Sequence, residues 1–145
     1  MENVLGALAR IHDFGYIYND LTPDNIMRVE NSWKLNDFDS VTIEGEDSIV
    51  NRHTLLYCSP EQAINGRITS KSDIWAAGVV LYEALFKGKK PFDNQDSIVN
   101  MKFDDSRTYK TAYDELFKKI FTVPEKRPSA TELINILKEI ENKEI

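Results

Sequence analysis

Three oxygen-bearing side chains, Asp20, Asn25 and Asp37, are spaced for joint chemistry. The run Tyr18-Asn19-Asp20-Leu21-Thr22-Pro23-Asp24-Asn25 is followed twelve residues after Asn25 by Asp37-Phe38-Asp39. A lone aspartate in a loop is more often a turn former. Two carboxylates and a carboxamide on neighbouring loops can do more. Asp and Asn oxygens suit Mg²⁺, a hard cation that shares its ligands with phosphate. With Asn25 and Asp37 on the metal, Asp20 is left to orient a hydroxyl or take its proton, the division of labour that phosphoryl transfer needs.

The elements that must position these groups can be read from pattern. Ile26-Met27-Arg28-Val29-Glu30 and Trp33-Lys34-Leu35 are β-prone arms divided by the polar pair Asn31-Ser32, which predicts a hairpin. A hairpin joins its ends, so Asn25 and Asp37 are expected side by side. Val4, Leu5, Leu8 and Ile11 recur at helical spacing and predict an amphipathic helix over 2–13, ended by Gly15. Residues 41–58 are polar and read as irregular. Pro60 suits the first turn of a short helix. Ser72 is the expected cap of a helix from Asp73 to Phe86, and a weak helix is expected near Ser97–Met101. Helices are also expected over Tyr113–Phe121 and Ser129–Asn142, the latter opened by a Ser129/Glu132 capping box. The fold class that follows is mainly α with a small β-hairpin.

The two loops resemble the catalytic H-R-D-L-x-x-x-N and metal-binding D-F-G segments of protein kinases. The resemblance continues in order along nearly all of the 145 residues. Leu55-Leu56-Tyr57-Cys58-Ser59-Pro60-Glu61 resembles the A-P-E segment, and Asp73-Ile74-Trp75-Ala76-Ala77-Gly78 the D-x-W-x-x-G helix. Gly88-Lys89-Lys90-Pro91-Phe92 is similar to the loop after it, and Arg127-Pro128-Ser129 to the late R-P-S/T motif. One triplet would be weak; six in sequence point to the large lobe of a eukaryotic-type protein kinase, Ser/Thr-kinase-like. No G-x-G-x-x-G occurs among the six glycines, and 19 residues precede Asp20. The expectation is therefore a kinase-like large lobe over 1–145 with the small lobe absent, an incomplete kinase domain whose activity alone is doubtful.

The resemblance implies roles position by position. Asp20 becomes the catalytic carboxylate, and Thr22 stands where the family has the lysine that meets the transferred phosphate. Asn25 and Asp37 become the metal and cofactor ligands for Mg²⁺ and ATP, with Met27 as the floor under adenine or, equally, a core methionine. Thr54 matches the threonine that Ser/Thr-directed kinases place against the catalytic Asp; it reads equally as an ordinary strand threonine. Glu61 and Arg127 are expected to pair, and Asp73 to accept the N–H groups of Tyr18 and Asn19. Four positions depart from the family: Tyr18 for His, Asn19 for Arg, Thr22 for Lys and Asp39 for Gly. Asn19 cannot make a charge-assisted pair with a phosphate. Thr22 supplies no cation to the transition state, and Asp39 lacks glycine's freedom at positive φ.

Composition fits one domain with one core: 41% hydrophobic, 29% charged, net charge −6. That charge argues against a general nucleic-acid surface. The single cysteine, Cys58, excludes an internal disulfide and suits a reducing compartment. The apolar run from Ile74 to Tyr82 is too short to span a bilayer. The amino terminus has no basic segment of a secretory signal. A cytoplasmic protein is expected, with nuclear residence also allowed, and with no membrane or nucleic-acid partner. His12 and His53 lack partners at metal-ligand spacing. Three functions follow: a Ser/Thr kinase lobe acting on a protein hydroxyl, a pseudokinase-like interaction module, and a small-molecule phosphotransferase. The last shares the Asp-x-x-x-x-Asn loop but lacks the later motifs. A lobe on its own is expected to expose Tyr18, Met27 and Phe38, and so to self-associate or bind a partner that supplies a small-lobe-like surface.

Overall fold

The computed structural model describes residues 1–45, 52–65 and 68–143, with the side chains of 52–54 and 65 outside that set. Helix α1 covers Glu2–Asp13 and buries Val4, Leu5 and Leu8, the stripe its periodicity predicts. Phe14 follows, then Gly15 at φ +82°, a left-handed turn that glycine makes without a Cβ penalty. The chain enters β1 (Tyr16–Ile17), the first loop, a 3₁₀ turn at Pro23–Asn25, and the hairpin β2 (Ile26–Val29) and β3 (Ser32–Leu35). The register pairs Ile26 with Leu35 and Val29 with Ser32. The two-residue turn is thus Glu30-Asn31 rather than Asn31-Ser32. Glu30 takes φ 58°, and Ser32 joins the ladder.

A second ribbon is present where irregular chain is expected. Strand β4 (Thr42–Ile43) pairs antiparallel with β1, Tyr16 opposite Ile43. Two residues per strand leave no alternation to read, so only the long-range pairing creates this element.

The remainder is helical: α2 (Pro60–Asn65), α3 (Ser70–Leu85), α4 (Gln95–Val99), α5 (Asp114–Ile120) and α6 (Ala130–Lys143), with 3₁₀ turns at Arg52–Tyr57 and Pro124–Lys126. Helix α3 starts three residues earlier than expected, and its cap is Thr69, not Ser72. The Thr69 hydroxyl accepts the Lys71 N–H, and the Ser72 hydroxyl accepts the Thr69 N–H, a reciprocal box that satisfies the first turn. Every residue of α3 from Ser72 to Tyr82 is buried. That explains its continuous apolar run: a helix covered on all sides has no polar face to show.

Around α3 lies an aromatic core. The Trp75 ring stacks on Phe92 at 5.1 Å and meets Phe121 edge-on at 5.0 Å. Gly78 lets α5 approach: a Cβ there would stand 2.6 Å from Ile120 Cγ2. Helix α1 packs against α6 and β3. In α6, Leu133 and Leu137 are buried, and Ser129 and Glu132 form the expected capping box at its start. None of the described helices is long and apolar enough to cross a membrane.

Candidate active site

The hairpin does bring its ends together: the Asn36 N–H donates to the Asn25 carbonyl at 2.9 Å. Within the first loop the Asn25 Nδ2 amide donates to the Asp20 carbonyl at 2.7 Å and to Asp20 Oδ2 at 3.0 Å. That choice of donor leaves the Asn25 side-chain oxygen, an acceptor, for another partner. The 3₁₀ turn at Pro23–Asn25 produces this geometry. Pro23 sits in its first turn, and the Thr22 carbonyl accepts the Asn25 N–H.

Burial raises the Asp20 carboxyl above its ordinary value of 3.8; the Asn25 hydrogen bond opposes this, and the Asp37 charge adds to it. Asp20 Oδ1 is shielded from solvent and has no hydrogen-bond partner. Asp37 is half-buried, and its Oδ1 accepts the Asp39 N–H at 2.9 Å. A carboxyl raised by burial and by a neighbouring carboxylate, with one oxygen unsatisfied, makes a place where a cation or a hydroxyl proton is welcome. Among the described residues no cluster of three His, Cys, Asp or Glu side chains could hold a metal alone. A cation here would draw on Asp37, the Asn25 amide oxygen and oxygens of its own ligand, as Mg²⁺ does with phosphates.

The loop is fixed from below by Asp73, which is 2% exposed. Its two oxygens accept the N–H groups of Tyr18 and Asn19, each at 2.8 Å. His12 Nε2 also lies 2.7 Å from Asp73 Oδ2. No sequence signal links His12 to a residue 61 positions on; only the packing of α1 on α3 does. Tyr18 is buried, contrary to the expectation of exposure, and holds Phe38 edge-on at 5.7 Å. Burial pushes its hydroxyl up to about 12, with Asp20, Asp37 and Asp73 adding to that. Phe38 and Met27 are exposed, at 54% and 45%. Thr22 is buried, and its hydroxyl does not cap the 3₁₀ turn that follows. The Thr54 side chain lies outside the described residues.

Glu61 and Arg127 meet as a bidentate pair at 2.7 and 2.8 Å. The guanidinium also donates to the carbonyls of Lys71 and Thr122, each at 3.0 Å, and lies 4.9 Å from the Trp75 ring centre. Burial works to raise Glu61, and Arg127 overcomes it, so the carboxyl sits below its ordinary 4.5. Two further contacts carry no sequence signal. Gln62 donates to Asn19 Oδ1 at 3.0 Å. The Tyr57 hydroxyl donates to Glu83, and burial, with Glu83 next, pushes that hydroxyl well above its ordinary range.

The motifs and this geometry agree with the comparisons. The family model described as the protein kinase domain matches residues 1–144. The serine/threonine-protein kinase PrkC of Bacillus subtilis is 36% identical over 103 residues, 68% of this chain and 16% of its own length. A calcium and calcium/calmodulin-dependent serine/threonine-protein kinase of Lotus japonicus is 32% identical over 93% of this chain and 29% of its own. The serine/threonine-protein kinase PknL of Mycobacterium tuberculosis is 36% identical over 68% of this chain and 26% of its own. The chain belongs to the eukaryotic-type protein kinase family. It spans less than a third of the length of these three relatives.

Proposed function

We propose that Asp20, Asn25 and Asp37 form the phosphoryl-transfer site of a serine/threonine protein kinase domain that moves the γ-phosphate of ATP to a protein hydroxyl. The observation that carries this is the pair of hydrogen bonds from Asn25 Nδ2 to Asp20, at 2.7 and 3.0 Å. They tie the base candidate to the metal-ligand candidate and leave the Asn25 oxygen available as an acceptor. Asp20, with its carboxyl raised by burial, accepts the proton of the substrate hydroxyl. Asn25 and Asp37 hold Mg²⁺, which when bound offsets the charge of the phosphates. Met27 offers an exposed apolar surface on β2 for a base. The choice of a Ser/Thr substrate rests on the relatives and on Thr54.

Mn²⁺ titration of the 145-residue chain, followed by electron paramagnetic resonance with and without ATP, tests the reading. Saturable binding that weakens at least tenfold in Asp37→Asn is expected. No binding by the parent chain, or equal binding by the variant, defeats it. A second reading, a non-catalytic interaction module, is favoured by the exposure of Phe38 and Met27. Under it the chain binds no Mn²⁺–ATP and self-associates in sedimentation, and Phe38→Ser abolishes that association.

A further inference from the structure

Asn19 holds a non-glycine left-handed conformation, φ 68°, immediately before Asp20. Such a backbone persists only where its surroundings enforce it. Two constraints are in place. Asp73 accepts the Asn19 N–H, and Gln62 on α2 donates from Nε2 to Asn19 Oδ1 at 3.0 Å. Gln62 is itself oriented. Its Oε1 accepts both the N–H and the hydroxyl of Ser59, at 2.9 and 3.0 Å. These bonds set which end of the carboxamide faces Asn19. Ser59 is fully buried and Gln62 is 8% exposed. The preceding residue, Glu61, ties α2 to Arg127. A cavity of about 20 Å³, lined by Asn19, Asp20, Gln62 and Asp73 among others, lies at this junction. The amide pair crosses this junction and joins loop to helix.

We propose that Gln62 is a positioning residue for Asp20, holding the loop in register with α2 through an uncharged side-chain amide pair with Asn19. The proposal rests on the phosphoryl-transfer reading for the role of Asp20. Fixing Asn19 fixes the next peptide, and Asp20 in turn orients Asn25 through the 3.0 Å hydrogen bond. Loosening Gln62 therefore reaches the proposed metal ligands without touching them. A link between neutral amides is also little affected by salt, unlike a tie made by opposite charges.

Backbone amide exchange of the ¹⁵N-labelled full chain and Mn²⁺ affinity test this in Gln62→Leu, Gln62→Glu, Asn19→Gly and the Asn19→Gly/Gln62→Leu double variant. Asn19→Gly keeps the left-handed backbone and removes only the side chain. Gln62→Glu still accepts from Ser59 and can accept from a turned Asn19 amide. The net worth of one hydrogen bond corresponds to roughly a fivefold change in local opening. The expected result is about fivefold faster exchange at Tyr18, Asn19 and Asp20 in Gln62→Leu and in Asn19→Gly. No further increase is expected in the double variant, and most of the protection returns in Gln62→Glu. Mn²⁺ affinity should fall severalfold in the two single variants at both low and high salt. Unchanged exchange in both singles, or additive effects in the double, overturns the proposal; should Gln62→Leu fail to fold, Asn19→Gly decides it. A parent chain that binds no Mn²⁺ removes the phosphoryl-transfer reading, and the exchange data then decide the amide pair alone.

Discussion

Removing Arg127 should be the most damaging truncation available in this chain. The guanidinium is fully buried, and four of its N–H groups are used: two on Glu61, one on the Lys71 carbonyl and one on the Thr122 carbonyl. Arg127→Ala strands the Glu61 carboxylate, whose side chain is only 15% exposed, together with both carbonyls. Breaking a buried pair on one side costs about 3–5 kcal/mol, against a total stability of roughly 5–15 kcal/mol for a domain. With a urea slope of about 2 kcal/mol per molar, the midpoint should fall by about 2 M. Glu61→Ala should cost a similar amount. The double variant Glu61→Gln/Arg127→Met should lose less than the sum of its singles, because no unpaired charge remains. Urea melts followed by circular dichroism measure all of these. Arg127→Ala with the parent's midpoint would show that the buried pair contributes nothing and that the desolvation argument is wrong.

The pair also sets an acid limit. Glu61 is depressed in the folded chain, so its contribution is complete above the ordinary carboxyl value of 4.5 and is lost as pH falls through its lower folded value. Urea midpoints of the parent should drop below pH 4.5 more steeply than those of Glu61→Gln. Gly78→Ala should destabilise by about 1–3 kcal/mol through overpacking against Ile120 and Phe121, despite alanine's better helix propensity; a lower thermal midpoint is the readout. Asp73→Asn leaves one acceptor oxygen for the N–H groups of Tyr18 and Asn19, so a loss of about 1.5–3 kcal/mol is expected. Faster amide exchange at those two residues is the readout.

Local patterns made much of the fold legible. The stripe of α1 and the capping box of α6 are each written within a few residues, and the hairpin is displaced by one residue only at its turn. The start of α3 is ambiguous in the sequence because Thr69 and Ser72 are both competent caps, and the contact of Ser72 with Glu61, which favours the earlier start, comes from a different segment. Ribbon β1–β4 has no local signature at all. The loop geometry at Asp20 and Asn25 follows from spacing and a hairpin. The contacts His12–Asp73 and Gln62–Asn19 do not, since each depends on how helices far apart in sequence come to lie together. The burial of Tyr18 is not legible for a related reason: its ring is enclosed by the chain's own core, which leaves Phe38 outside.

The placement of Arg127 over Trp75 gives the molecule an optical signature. There are two tryptophans. Trp75 is fully buried with a guanidinium 4.9 Å from its ring centre, while Trp33 on the hairpin is 45% exposed. Emission from Trp75 should therefore lie to the blue of that from Trp33 and resist quenching by iodide. In a Trp33→Phe background, fluorescence becomes a single-site reporter of the core beside the ion pair, and a red shift during unfolding marks the moment at which water reaches the indole.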